Sequence, residues 1–146
     1  MWIYNGNEFK SEDIGEYFGF IYMITNLENG NKYIGRKNFF SLRKETKKSE
    51  KKKKRVRKES DWQKYYGSSN TVKFLVETKG QDNFHREILL LCHSQGELNY
   101  NETKYLFKYD VLESEEYYND NILGRYFSKN ILKYPTSLIN KKNDKV

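Results

Sequence analysis

At 146 residues the chain has room for one domain and a short extension. It is 36% hydrophobic and 16% aromatic, led by thirteen tyrosines, so its core should be small and rich in rings; no apolar run nears the roughly 20 residues of a membrane span. The net charge of +7 is concentrated, because residues 43–58 hold eleven Lys/Arg and two acids, net +9, which leaves the rest of the chain at −2.

Residues 1–18 read as a polar lead-in containing Trp2, Tyr4 and Phe9, without the basic and then apolar start of a secretory signal. Residues 19–25 have strand propensity, Asn29-Gly30 is a two-residue hairpin signal, and residues 32–36 return as a second strand. Residues 37–44 read as the start of a helix that dissolves into the basic insert, residues 43–58. A run such as Lys51-Lys52-Lys53-Lys54-Arg55 repels itself and reads as a solvated loop or frayed helix. It would attract a polyanion by counterion release. Lys47, Lys51, Lys52, Lys53, Lys54, Arg55, Arg57 and Lys58 are therefore candidate nucleic-acid contacts, with Lys37 just before them.

Ser60-Asp61-Trp62-Gln63 fits a capping box before a short helix, and Ser68-Ser69-Asn70 caps a second helix stopped by Gly80. Residues 84–92 form a third strand, apolar on both faces at Ile88-Leu89-Leu90-Leu91 and so central. A long helix spans about residues 95–112. Residues 113–123 are an acidic turn region, and residues 124–146 are a basic extension that folds as a short helix (127–134) or drapes over the body. The expected fold class is α+β, a small three-stranded antiparallel sheet flanked by helices, with the domain proper at 19–123. The lone Cys92 has no internal disulfide partner, which suits a reducing cytoplasm.

A two-residue loop at Asn29-Gly30 would pair Tyr33 with Asn26 and Tyr22 with Lys37. Tyr22 and Tyr33 then share a face, with Gly35 a bare floor between them. Two strand tyrosines are by themselves ordinary. The long helix adds an independent clue, because Leu98, Tyr105, Tyr109 and Leu112 make an apolar stripe with Glu102 inside it. A glutamate there must be paired, hydrogen-bonded or on a metal. The bland reading is a core Glu satisfied by a tyrosine or an arginine. On the far side, Tyr100, Phe107 and Val111 form a second apolar face that a terminal segment should cover.

With these parts in place, the chain resembles the GIY-YIG endonucleases over about residues 17–121, more narrowly their free-standing phage homing-type members. The resemblance rests on Gly19-Phe20-Ile21-Tyr22 and Tyr33-Ile34-Gly35-Arg36-Lys37. Tyr66-Gly67-Ser68-Ser69, Asn83-Phe84-His85-Arg86-Glu87-Ile88-Leu89 and Glu97-Leu98-Asn99-Tyr100-Asn101-Glu102 extend it. It implies that Tyr22 and Tyr33 are the motif tyrosines, one of them the general base. It makes Arg36 a nearby cation, Arg43 the catalytic arginine, Glu102 the metal ligand, and Asn119 a loosely matched polar residue. It also implies Mg²⁺ or Mn²⁺ as cofactor and double-stranded DNA as substrate, with no membrane. The first motif reads Phe-Ile-Tyr where the family has Gly-Ile-Tyr. The His or Tyr that many members carry soon after the arginine is missing, and Lys47, Tyr65 or Tyr66 could stand in. His85 reads as a core or interface residue and His93 as an ordinary one. The competing reading is a non-catalytic DNA- or RNA-binding module that kept the fold.

Overall fold

The computed structural model describes residues 1–45 and 54–133, with residues 42–45 and 54–57 described by their backbone only. In chain order the strands are β1 (Trp2–Tyr4), β2 (Asn7–Phe9), β3 (Gly19–Asn26), β4 (Lys32–Asn38), β5 (Phe40–Glu45) and β6 (Lys54–Glu59). Helix α1 (Asn70–Lys79), β7 (Phe84–Cys92), helix α2 (Gln95–Lys108), β8 (Asn121–Ile122) and β9 (Tyr126–Phe127) follow. No helix among the described residues is long and apolar enough to cross a membrane.

The main sheet has five strands, in the order β2-β1-β7-β3-β4, where the sequence led us to expect three. The two additional strands come from the lead-in. Asn5 and Gly6 both have positive φ, 51° and 83°, and form a two-residue loop between the paired Tyr4 and Asn7. This is the backbone that a primed hairpin turn needs. Trp2 and Phe9 pair across it and enter the core, while β1 lies parallel to β7. β7 is central, as its two-sided apolar run suggests.

The second Asn-Gly pair behaves differently. Tyr22 pairs with Gly35 and Ile24 with Tyr33, so the β3–β4 register is two residues away from that of a two-residue loop. Gly30 N–H closes the four-residue loop onto the Asn26 carbonyl at 2.7 Å. Buried Asn26 sets this geometry. Its Oδ1 accepts from Glu28 N–H and from Asn83 Nδ2, and its Nδ2 donates to the Tyr118 hydroxyl. A slip of two keeps the parity of the side chains, so Tyr22 and Tyr33 still share a face.

The basic insert is neither loop nor helix where it is described. β5 and β6 form a separate antiparallel ribbon, from Phe40↔Glu59 to Glu45↔Lys54. Residues 37–44 are accordingly extended, with Phe39 buried as the anchor. The bulk of Phe40, Leu42 and Val56 favours strand. Lys47, Lys51, Lys52 and Lys53 lie outside the described residues.

Two clusters flank the sheet. One is aromatic, with Trp2, Phe9, Phe20, Tyr22, Phe39 and Trp62 in mutual ring contact. The other is aliphatic, with Ile21, Ile34, Leu98, Leu106 and Val111 under α2. Ser94 and Ser69 cap α2 and α1 by accepting from Glu97 N–H and Val72 N–H. Helix α2 ends at Lys108, four residues short of the expected Leu112, because Asp110 turns left-handed at φ 52°. After Ser60 only Trp62–Lys64 coils, as one short 3-10 turn. Among the described residues of the extension, Phe127 pairs in the β8–β9 hairpin and only Ser128–Asn130 is helical, so of the two readings the helical one does not hold over 127–133. Val111 is buried, but Tyr100 and Phe107 stay exposed; Tyr126 touches Phe107 with ring centroids 6.0 Å apart.

Candidate active site

β4 is an edge strand, and its outer edge is used in two ways. Over its first half residues 116–119 cover it. Lys32 N–H donates to the Glu116 carbonyl, Tyr118 N–H donates to the Lys32 carbonyl, and the Asn119 amide both donates to and accepts from the Ile34 backbone. Asn119 is buried there and spends its amide on structure. Beyond Ile34 the edge opens into a cleft of about 670 Å³ that takes side chains from both faces of the sheet.

From the aromatic face come Tyr22 and Tyr33, with ring centroids 6.3 Å apart. Tyr22 is 1% exposed, held by Trp2 and Tyr65 at 5.3 and 5.9 Å. Its phenol lies flat over Gly35. A Cβ at that position would land on the Tyr22 hydroxyl and 2.7 Å from its Cζ, so only glycine leaves room. Gly67 closes the other side. Its φ is +87°, and a Cβ there would press to 3.3 Å from the Tyr33 ring. The next residue, Ser68, hydrogen-bonds the Tyr33 hydroxyl at 3.0 Å. The sequence suggests only a helix-cap role for Ser68, and this second use is visible only in the fold. The β7 bulge between Ile88 and Leu90 falls directly beside Tyr22, a common device next to active sites.

From the aliphatic face come Arg36 and Glu102. Arg36 Nε meets Glu102 Oε1 at 3.2 Å, so an arginine does satisfy the glutamate in the apolar stripe. Glu102 remains in the cleft wall, 24% exposed. Lys37 points back to the aromatic side. Its Nζ lies 2.7 Å from Asp61 Oδ1 and 4.1 Å over the Tyr65 ring.

Burial holds Tyr22, Tyr33 and Glu102 toward their neutral forms. The Tyr22 phenol is pushed well above the ordinary 10 by burial first, then by Tyr65 and Tyr33, including a hydroxyl hydrogen bond to Tyr65. Tyr33 is also raised by burial, which its bond to Ser68 opposes. Glu102 is raised by burial, against the charge and hydrogen bonds of Arg36. Lys37 draws the Asp61 carboxyl below its usual range.

Of the candidates read from the sequence, Tyr22, Tyr33, Arg36, Lys37 and Glu102 converge on this cleft. Arg43 lies in β5 opposite Val56, two residues beyond Ser41, which lines the cleft. Lys54, Arg55 and Arg57 are on β6, and Lys58 is exposed near its end. Between Tyr65 and Tyr66 the structure selects Tyr65 for the cleft. Tyr66 turns away to stack on buried Arg86, 4.2 Å from ring centroid to guanidinium carbon. Arg86 in turn donates to the carbonyls of Gln63 and Tyr65 at 2.9 and 3.0 Å, which fixes where Tyr65 stands. His85 is exposed and outside the cleft, which excludes the core half of its core-or-interface reading. His93 rests on Tyr17 and Glu97. Cys92 is a buried thiol pushed up to about 11. No group of three or more His, Cys, Asp or Glu that could hold a metal occurs among the described residues.

No curated protein and no solved structure matches the chain. The family model described as "Putative endonuclease segE, GIY-YIG domain" matches residues 2–122, from the first strand of the sheet to β8 and across the ribbon. With that match over most of its length, the chain belongs to the GIY-YIG endonuclease family.

Proposed function

We propose that the chain is a divalent-metal-dependent endonuclease that hydrolyses phosphodiester bonds in double-stranded DNA, a free-standing homing-type enzyme of phage acting in a reducing cytoplasm. One observation carries this reading: two tyrosines, an arginine and a lone carboxylate converge on one cleft, and a basic ribbon leaves from its rim.

The donor set fits the implied metal. Glu102 offers one partly exposed carboxylate, with Oε1 engaged by Arg36 and no second acid or imidazole within a cluster among the described residues. A single carboxylate fits a hard cation that keeps most of its water, which is Mg²⁺ or Mn²⁺ in character and unlike the N/S sets of zinc. Bound at Glu102, such an ion supplies Lewis-acid stabilisation of the charge that builds on the phosphate.

The chain's own residues do the rest. A phenol of the Tyr22–Tyr33 pair takes a proton from the attacking water. Arg43 adds positive charge toward the phosphate oxygens. Arg36 favours the ionised Glu102, and Gly35 keeps the Tyr22 hydroxyl in place. Tyr65, which lines the cleft, takes the role left open by the residue missing after the arginine, with Lys37 on its ring as a local cation. Because both motif phenols are held neutral, the base becomes competent only as cations enter the cleft.

The test is nicking of supercoiled plasmid with and without Mg²⁺ or Mn²⁺, comparing wild type with Glu102→Ala and Arg43→Ala. Metal-dependent nicking that both substitutions abolish is expected. Nicking by Glu102→Ala at the wild-type rate would overturn the mechanism. Binding of DNA without any nicking would instead favour the second reading, a binding module, for which the Arg36–Glu102 pairing is the supporting observation.

A further inference from the structure

Where it is described, the insert is a two-stranded arm with charge on both faces. In a two-stranded ribbon, paired residues share a face and successive residues alternate. The observed register therefore puts Ser41, Arg43, Glu45, Lys54, Val56 and Lys58 at positions of one face. Phe40, Leu42, Lys44, Arg55, Arg57 and Glu59 take the other. Each face carries three Lys/Arg and one acid. A ribbon that lies flat on a partner, or on its own domain, needs charge on one side only. One that is basic on both faces fits between two walls of negative charge.

The base of the ribbon is fixed to the body. Ser60 Oγ donates to the Asn38 carbonyl at 2.7 Å, and Ser60 N–H donates to the Phe39 carbonyl at 2.8 Å. Phe39 is fully buried. The Glu59 carboxylate accepts from Ser11 Oγ at 2.6 Å and Trp62 Nε1 at 2.7 Å, which ties the acid nearest the body to the domain in its charged form. Phe40, Ser41 and Ser60 at the base also line the cleft. The base of the arm is thus tied to the wall of the reacting centre. The remaining acid, Glu45, lies at the far end opposite Lys54.

We infer that β5–β6 enters the major groove of duplex DNA next to the scissile phosphate, its two faces toward the two backbones of the groove, so that the cut falls at a fixed offset from the base pairs the ribbon spans. This deepens the nuclease reading and rests on it. The dimensions agree. Six residues per strand at about 3.3 Å each give an arm of roughly 20 Å. The B-form major groove is about 12 Å wide and admits a two-stranded ribbon, whereas the minor groove at about 6 Å does not. The A-form groove of duplex RNA is too narrow and deep, so the site selects DNA over RNA duplex.

The experiment uses the full chain carrying Glu102→Gln, which keeps DNA intact, and a 30-base-pair duplex premethylated with dimethyl sulfate. Methylation of guanine N7 reports the major groove, and methylation of adenine N3 the minor groove. Interference at N7 over about five successive base pairs to one side of the cut, and none at N3, is expected. Interference at N3 alone, or at neither, overturns the inference. A second measurement compares the faces, using Lys44→Gln/Arg55→Gln/Arg57→Gln against Lys54→Gln/Lys58→Gln. Each set should flatten the log–log salt dependence of binding, with a slope smaller by about one for every cation neutralised. An effect confined to one set means a ribbon lying on the duplex and overturns the groove geometry, as does equal affinity for an RNA duplex of the same sequence. The two readings fail separately: an N7 footprint with no nicking by wild type removes the nuclease and leaves the groove. Metal-dependent nicking that N7 methylation does not affect does the reverse.

Discussion

On the aromatic side of β3 and β4 the cleft receives three phenols, from Tyr22, Tyr33 and Tyr65, packed ring to ring. On the aliphatic side it receives one carboxylate, Glu102, and its arginine. Both motif phenols and the carboxyl are biased toward neutrality by burial, but only the carboxyl has a cation in contact to oppose it. On the proposed mechanism this difference sets an order of events: the carboxylate side would take the cation first, and the phenol side would become a base afterwards. The edge of β4 is where the sides meet, and Asn119 stops at Ile34, just short of that point.

Glu102→Gln breaks the comparison most severely. It should remove metal-dependent cleavage, a loss of at least about 10³-fold on the usual scale for a charge-stabilising group. The same substitution should not weaken the resting fold. Glu102 has a folded pKa raised by burial. Such a group gives its full contribution to stability below its unfolded value and loses it as pH rises through the folded one. At pH 7 the ionised Glu102 therefore costs stability that glutamine does not. Without metal, the melting temperature of Glu102→Gln should lie at or above wild type at pH 7, with the gap closing toward pH 4. A clear drop at pH 7 would show that the Arg36 pair outweighs burial.

The phenol side is tested by Tyr22→Phe and Tyr33→Phe, each expected to lower the cleavage rate by about 10²–10⁴-fold, the range for a positioned acid or base. The two separate in their pH profiles. The variant that has lost the base no longer gains rate with rising pH, while the other keeps that slope at a lower level. Retention of the slope in both, or full activity in either, would place the proton elsewhere, with Tyr65→Phe the next to measure.

Gly35→Ala probes the phenol side without touching its chemistry. The added methyl meets the end of the Tyr22 side chain, which is boxed in by Trp2, Tyr65 and Gly67. A displaced phenol should lower the rate by about 10²-fold, since a shift of about 1 Å suffices for that. Overpacking of this kind costs about 1–3 kcal/mol, readable by urea unfolding. Wild-type kinetics in a folded Gly35→Ala would mean that the position of the Tyr22 hydroxyl does not matter to catalysis.

How much of this could be read from the chain depends on distance along it. The shared face of Tyr22 and Tyr33 was legible because it depends only on parity, and the register error was two residues. The error itself came from Asn26, whose partners Asn83 and Tyr118 lie far away in sequence. Two Asn-Gly pairs have the same local signal, yet only Asn5-Gly6 makes the tight turn, and with it the two strands missed in the lead-in. Glu102 stood out by its place in an apolar stripe. Its partner did not, since 66 residues separate it from Arg36. Tyr65 and Tyr66 are indistinguishable by composition and were divided by Arg86, which stacks on one and holds the carbonyl of the other. The ribbon was hidden by its own charge, because a lysine-rich run suppresses the strand signal of Phe40, Leu42 and Val56.

The smallest expected effect is also the one that joins the two sides. The family resemblance makes Arg36 a cation near the motif tyrosines. In the structure its contact is Glu102, at 3.2 Å. Removing it leaves burial of Glu102 unopposed, so the carboxyl pKa rises further. Because the ionised form holds the cation, the acid limb of the rate profile moves to higher pH in Arg36→Ala. The loss should then be several-fold at the acid end of the profile and shrink as rising pH ionises Glu102 in either protein. Arg36→Lys, which restores charge but not the guanidinium hydrogen bonds, should recover part of the shift. If instead the alkaline rise moves and the acid limb stays, Arg36 serves the phenols after all, and the separation of a metal side from a base side at the edge of β4 is wrong.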